Sequence, residues 1–316
     1  MTFQSQIARS HSTYGGGSPM ITRTRGGGVQ LRARQGEFLD LEQVGNAAPS
    51  VFAGDKHESR SERYVYADTR EVLGGLVAEG FGVVSVQQGG SRIEGKAQFT
   101  KHMIRLRHRG DKALVEPRVG DVAFNEVVLL NSHDGTSSYQ LAAGMFRLVC
   151  LNGMVAGDMF AEHRVSHTRR TLREDVIEAA FSVVEQFPAL THAASEMAGL
   201  ELSRAEQLAF AAAARELRWA PPQVIEGEVI GRPPPVGADQ LLLARRAMDN
   251  GADLWRTMNR VQENVIRGGQ QYRTAAERGR GQRRRVGAVN GMDQDRAINR
   301  ALWTLADEMR KIKEAA

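Results

Sequence analysis

The stretch 99–109, FTKHMIRLRHR, holds the residue types and spacing most suited to chemistry. Read as a strand, it sends successive side chains to opposite faces. Lys101, Met103, Arg105, Arg107 and Arg109 then share one face, and Thr100, His102, Ile104, Leu106 and His108 the other. Residues two apart on a strand are about 6.6–6.8 Å apart, near the spacing of successive phosphates along a nucleic-acid strand, so the basic row is suited to tracking a phosphate backbone. Arg164, Arg169 and Arg170 extend that track, and Arg283, Arg284 and Arg285, with Arg278 and Arg280, form the densest local run of charge. A polar sheet face, a guarded edge strand or a solvated loop carries the same residue types, so the pattern supports phosphate contact without requiring it.

Other chemistries have weaker warrants. Asp121, Glu126 and Asp134, with His133, are carboxylates and an imidazole that a metal-dependent nuclease would use, but their spacing matches no metal motif. His163 and His167 with Cys150 upstream lack the second thiolate of a zinc site, and an i, i+4 pair on a strand is about 13 Å apart. Cys150 ends an apolar run and reads as a core residue. The chain has no G-x-x-x-x-G-K-[ST], G-x-S-x-G, H-E-x-x-H or C-x-x-C. No catalytic residue, metal ligand or cofactor is therefore expected.

The elements that must position these residues follow from periodicity. Residues 122–130 alternate as a strand, Asp134-Gly135 supplies a turn, and 139–150 return, which predicts a long β-hairpin. Arg147, Asn152 and Gly153, at its end, are expected to fix a sheet-to-loop junction and not to perform chemistry. Before the basic stretch, 63–80 predicts a helix with Asp68 as N-cap, Glu71 in capping-box position and Gly80 past the end; Gly74 and Gly75 either admit another backbone or weaken it. Residues 81–87 predict a strand.

The second half is helical. Capping boxes at Thr171/Glu174 and Ser203/Glu206 open two helices, with Pro188 interrupting the first and the second running to about Trp219. The Pro-rich 221–235 reads as a loop, Asp239 as the cap of a helix through LLLARRAM, 253–269 as an amphipathic helix broken by Gln262, Glu263 and Asn264, the arginine run as a loop, and 294–313 as a last helix. The fold class is α+β: an antiparallel sheet with a long central hairpin, packed by helices and followed by a mainly helical C-terminal region. The expected domains are a flexible Gly/Arg-rich arm over 1–48, the α+β core over 49–220, a Pro-rich linker over 221–238 and the helical region with its Arg-rich loop over 239–316.

A length of 316 residues suits two modest domains, and 41% hydrophobic with 25% charged residues is ordinary for a globular chain. The formal charge of +5, weighted toward arginine, favours an anionic partner, although GC-rich codon usage gives the same bias. One cysteine excludes an intramolecular disulfide framework and points to a cytoplasmic protein. No run approaches the roughly 18–20 apolar residues of a membrane span.

NSHDGTSSYQL at 131–141, FRLVCLNGMV at 146–155, DLWRTMNRVQENVIRGG at 253–269 and GAVNGMDQDRAINRALWTLAD at 287–307 resemble the phage- and plasmid-borne proteins catalogued as a conserved domain of unknown function. The resemblance covers roughly residues 119–306 and brings no catalytic residues with it. The element order, a helix, antiparallel strands with a basic face and a long helix across the sheet, is also similar to the core of single-strand annealing proteins, which assemble as rings or filaments around single-stranded DNA; no motif of theirs is matched.

The expectation is a mobile-element protein of DNA metabolism that binds single-stranded DNA and promotes annealing and homologous recombination without a nucleotide cofactor. Lys101, Arg105, Arg107, Arg109, Arg164, Arg169, Arg170, Arg283, Arg284 and Arg285 would contact DNA, in a homo-oligomer built as a ring or filament. The alternatives are an anti-defence or regulatory protein that binds a host protein, and, third, a metal-dependent nuclease.

Overall fold

The computed structural model describes residues 18–23, 27–55, 68–91, 93, 95–110, 113–147, 153–155, 162–165, 172–226, 228–274 and 281–315, without the side chains of 118 and 153–155. The fold is α+β, an antiparallel sheet with helices and a helical C-terminal region. It divides into two interleaved compact units, Met1–Gly110, Glu126–Leu141 and His163–Ser182 against Asp111–Asn125, Ala142–Glu162 and Val183–Ala316. The expected sequential domains cut the chain differently, because both strands of the long hairpin run from one unit into the other. Among the described residues, no helix is long and apolar enough to cross a membrane.

The first unit is built on β1 (Met20–Arg23), β2 (Val29–Arg32), β3 (Phe81–Gln88) and β4 (His102–His108), continued by the later half of β6 (Asp121–Asn131) and the first residues of β7 (Tyr139–Arg147). β9 (His163–Val165) pairs with Tyr139–Leu141 on the far side of β7. Among the described residues these ladders are antiparallel, with a bulge in β3 between Val83 and Ser85. Helix α1 (Leu41–Ala47) starts at Asp40, which forms a reciprocal capping box with Gln43. Helix α2 (Thr69–Ala78) starts at Asp68, which accepts from the Arg70 amide. Helix α3 (Leu172–Val184) crosses Gly75, where a Cβ would press on Ile177 and Arg173, whereas Gly74 meets open space. What approaches Gly75 is thus two side chains and not the backbone that the sequence reading allowed for.

The segment expected as a flexible arm is, over 18–23 and 27–48, part of this unit: β1, β2 and α1, with Leu31, Leu39 and Val44 buried. Alternation over four-residue strands is too short a signal to separate them from Gly-rich coil. The remainder of the arm lies outside the described residues.

The second unit packs helices around α7. Its members are α4 (Phe187–Gly199), α5 (Arg204–Glu216), the short α6 (Ala238–Leu241), α7 (Leu254–Arg267) and α8 (Met292–Glu314), with β5 (Leu114–Arg118) against α4 and β8 (Gly153–Val155) against α8. Pro188 ends nothing by itself; it sits in the first turn of α4, where its missing N–H is harmless, and so marks the break between α3 and α4. Ser203 and Glu206 form the capping box read from the sequence. From Leu254 to Ile266 every residue of α7 except the half-buried Arg256 is buried, polar ones included, and Asp253 caps it. The helix expected after Asp239 is only the four residues of α6, capped at Gly237.

The Pro-rich 221–235, expected as an irregular loop, contains a hairpin, β10 (Gln223–Ile225) and β11 (Glu228–Ile230). The arginine run, also expected as a loop, supplies β13 (Arg283–Arg285), paired with β12 (Gln271–Arg273).

Candidate nucleic-acid interface

In the first unit, β4 lies between β3 and β6 and is therefore a central strand. Both central arginines of its basic row are held by one buried carboxylate: Arg105 Nε donates to Glu126 Oε2 at 2.7 Å and Arg107 Nη2 to Glu126 Oε1 at 2.7 Å. Glu126 is 0% exposed and Arg105 only 9%. Burial pulls the Arg107 guanidinium below its ordinary value; the charge and hydrogen bond of Glu126 oppose that shift, and Arg105 adds to it. This arrangement is a two-arginine clamp on a buried carboxylate, not an open row of cations. Arg109 lies past the end of β4 and is exposed, its guanidinium 5.2 Å from the centre of the Phe38 ring. That ring rests on Gly82, where any Cβ would collide with it.

Lys101, half-buried, precedes β4, and Arg164 on β9 is exposed. Arg164 and His163 line a cleft of about 340 Å³ whose other wall, from α3, carries Asp175, Glu178 and Ser182. The cleft is of mixed charge, which suits a polyanion poorly. Arg169 and Arg170, like Asn152, Cys150, His167, Arg278 and Arg280, lie outside the described residues.

In the second unit the β12–β13 ribbon is different in kind. Arg273, Arg283, Arg284 and Arg285 are all exposed, and among the described residues none of the four has a carboxylate partner. The register sets Arg273 directly opposite Arg283, and alternation puts Arg285 on their face while Arg284 and its partner Tyr272 take the other. Like charges directly opposite each other destabilise a free ribbon, so the base must hold it. The last carbonyls of α7 do this: Gly268 N donates to Asn264 O at 3.2 Å, Arg218 Nη1 to Val265 O, and Val289 N to Ile266 O at 2.8 Å. Arg245 adds a bond to Gly268 O and another to Asn264 Oδ1 at 2.8 Å. Gly268 leaves the helix at φ 61°, and a side chain there would strike the backbone of Val286 and Gly287. Gly269 N to Val286 O, at 2.7 Å, and Val286 N to Gln270 O, at 2.9 Å, then begin the ladder.

A family model described as a domain of unknown function, DUF932, matches residues 56–303. The chain belongs to the DUF932 family. It is similar to two proteins of Escherichia coli K12, UPF0380 protein YafZ and UPF0380 protein YfjQ, each 40% identical over 276 residues, covering 87% of this chain and 93% of the relative. No solved structure matches.

The DUF932 match spans both basic regions and also the carboxylates weighed as nuclease ligands, each of which has a cation of its own. Glu126 holds the clamp described above. Asp134 sits in the turn of the long hairpin, where burial pushes its carboxyl up but the Thr136 hydroxyl and amide, Ser132 and Lys96 together hold it below the usual carboxylate range. Asp121 accepts from Arg147 Nε at 2.7 Å and from the Trp255 indole N–H at 2.8 Å, and Arg147 Nη1 donates to Asp249 at 2.8 Å. All four of these residues are buried. Arg147 thus joins β6, β7, α7 and the 3₁₀ turn Ala247–Asp249 inside the second unit. Among the described residues no cluster of His, Cys, Asp and Glu is suited to a metal ion.

Sequence reasoning missed the partners, not the residues. Glu126 stands at 122, 124, 126, 128, 130 parity, the only charge in an otherwise apolar alternation. A carboxylate forced to that face next to an arginine-rich strand is the signal for a buried clamp.

Proposed function

We propose that the protein binds single-stranded DNA through the β12–β13 ribbon and promotes annealing and homologous recombination in mobile-element DNA metabolism, in the cytoplasm and without a nucleotide cofactor. The observation that carries this reading is the exposed arginine ribbon of four cations with no described carboxylate beside them, rigidly based on the capped end of α7. Arginine on such a ribbon meets phosphates, not base edges, and so holds a strand without regard to its sequence. Annealing needs that property, because the bases must stay open to a complement. Arg109, exposed past the end of β4, would make a secondary phosphate contact in the first unit. Arg105 and Arg107 serve there as the clamp on Glu126 and are not part of the proposed contact set.

The test is oligonucleotide binding by fluorescence anisotropy across a salt series, beside the rate at which two complementary oligonucleotides anneal. Neutralising a phosphate on a single strand contributes about −0.7 to the slope of log K against log salt. The triple substitution Arg283→Ala, Arg284→Ala, Arg285→Ala is expected to flatten the slope by about 2 and to slow annealing in parallel. Equal affinity and slope in the triple variant reject the ribbon as the site. No binding by the wild type near physiological salt rejects the function and favours a protein partner, and divalent-metal-dependent cleavage favours a nuclease.

A further inference from the structure

The β10–β11 hairpin exposes more aliphatic surface than a free hairpin tolerates. Val224 and Val229, directly paired, are 71% and 70% exposed, and Ile225 and Ile230 are 49% and 52% exposed. Among the described residues the two strands pair only with each other, which leaves the outer edge of β11 open there. A lone two-stranded hairpin is marginal in water, and each aliphatic side chain left exposed forgoes about 1.5–3 kcal/mol of burial. Its turn and β11 also bear Glu226 and Glu228, both exposed, and Glu226 takes a positive φ of 52°.

A second open edge exists in the first unit. Among the described residues β1 pairs on one side only, with β2. All four of its residues are exposed, Met20 at 55% and Ile21 at 54%, and it ends in Arg23. Natural proteins blunt exposed edges with bulges, short strands or inward charges, or else cover them. β1 has an apolar start and a cationic end; β11 has an acidic start and an apolar end.

We infer that β11 of one copy adds antiparallel to the free edge of β1 in a second copy of this chain. Setting Glu228 opposite Arg23 aligns Val229 with Thr22 and Ile230 with Ile21. Because residues two apart share a face, this register puts the ion pair and the isoleucine pair on the same side of the extended sheet. A partner of a different sequence is disfavoured by that double match of charge and apolarity between two edges of the same chain. The contact is heterologous, since β1 of one copy meets β11 of another, and repetition yields a ring where the rotation closes and a filament where it does not. The inference is independent of the nucleic-acid reading.

The test uses the full chain, its mass followed by light scattering over a range of concentration without DNA. The wild type is expected to self-associate. Glu228→Arg alone and Arg23→Glu alone should each weaken association by roughly tenfold, and the doubly reversed chain, Glu228→Arg with Arg23→Glu, should recover it. Both positions are exposed, so neither change should disturb folding. Ile230→Asp should leave a monomer with an unchanged circular dichroism spectrum. The inference is overturned if the wild type stays monomeric at the highest concentration. It is likewise overturned if the double reversal fails to rescue, or if changes in β11 disrupt assembly while changes in β1 do not, the outcome expected of hairpin-to-hairpin pairing.

Discussion

Two groups of arginines, one in each unit, carry the same residue type into opposite circumstances. Arg105 and Arg107 lie on a central strand and converge on Glu126, itself fully buried. Arg273, Arg283, Arg284 and Arg285 lie on a two-stranded ribbon with solvent on both faces. Desolvating a guanidinium costs several kcal/mol unless a carboxylate meets it, so the first group is bound to serve the fold. The second has surrendered little hydration, and its mutual repulsion is relieved by any polyanion that arrives. Arginine density in a sequence therefore says less about binding than the number of neighbouring strands does.

The comparison breaks most violently at Glu126. Glu126→Ala leaves two guanidinium groups facing each other without their shared counter-charge, and removing one partner of a buried ion pair costs about 3–5 kcal/mol. Urea denaturation should show the unfolding free energy falling by that amount, as a lower midpoint at an unchanged slope. A loss below about 1 kcal/mol would mean that the clamp behaves like a surface salt bridge and that Arg105 and Arg107 are free to contact phosphate after all. For the same reason Arg105→Ala with Arg107→Ala is a poor probe of DNA binding, since it orphans Glu126 and unfolds the sheet that it was meant to report on.

A smaller effect is expected in the second unit, where the buried cation keeps its counter-charges. Trp255→Phe removes the indole N–H from Asp121 but leaves Arg147 bonded to both Asp121 and Asp249. The expected loss is about 1–3 kcal/mol, the cost of one unmet bond to a buried carboxylate together with a modest change of volume. Denaturation followed by circular dichroism measures it, and a loss as large as that of Glu126→Ala would show that Trp255 packing, not its hydrogen bond, organises the cluster.

Smaller again in stability, the ribbon sharpens the contrast from the other side. Arg283→Ala, Arg284→Ala and Arg285→Ala together should move the unfolding free energy by no more than about 0.5 kcal/mol per site, and in the stabilising direction, because cross-strand repulsion is relieved. A destabilised triple variant would place these arginines among the structural ones.

Much of this was legible in the chain. The long hairpin followed from alternation around Asp134-Gly135, and the capping pair Ser203/Glu206 and the N-cap Asp68 marked two helix starts. Local rules suffice for those, because the relevant contacts lie within four residues. What could not be read were contacts across long loops. The clamp joins positions 19 and 21 residues apart, and the bond from Trp255 to Asp121 spans 134 residues. The short ribbons failed for another reason: three-residue strands such as Arg283–Arg285 have no periodicity to detect, and their exposure removes the apolar signal. The buried polar face of α7 was visible as an interruption at Gln262, Glu263 and Asn264. Only the fold supplies its partners, Asn299 for Gln262, Arg246 for Glu263, and the carbonyls of Leu241 and Leu243 for Asn264.

The smallest expected effect concerns a solvated pair, Glu206 on α5 with Lys313 on α8, both in the second unit. Hydrogen bonds from Lys313 first, then from the Ser203 amide and hydroxyl, lower the Glu206 carboxyl from 4.5 to about 2. Its folded value lies below its unfolded one, so on acidification the unfolded chain takes up the proton first. The stabilisation is therefore complete above 4.5 and fades as the pH drops toward about 2. Glu206→Gln cannot titrate there, yet its amide oxygen still accepts from Ser203. The denaturation midpoints of wild type and variant should differ slightly near neutrality and converge across that acidic window. They should also converge with added salt, because an exposed pair is screened. A gap that stayed constant with pH would assign the effect to the capping box alone. Glu206 would then belong with the structural hydrogen bonds, and the buried clamp at Glu126 would stand as the main test of how charge stabilises this fold.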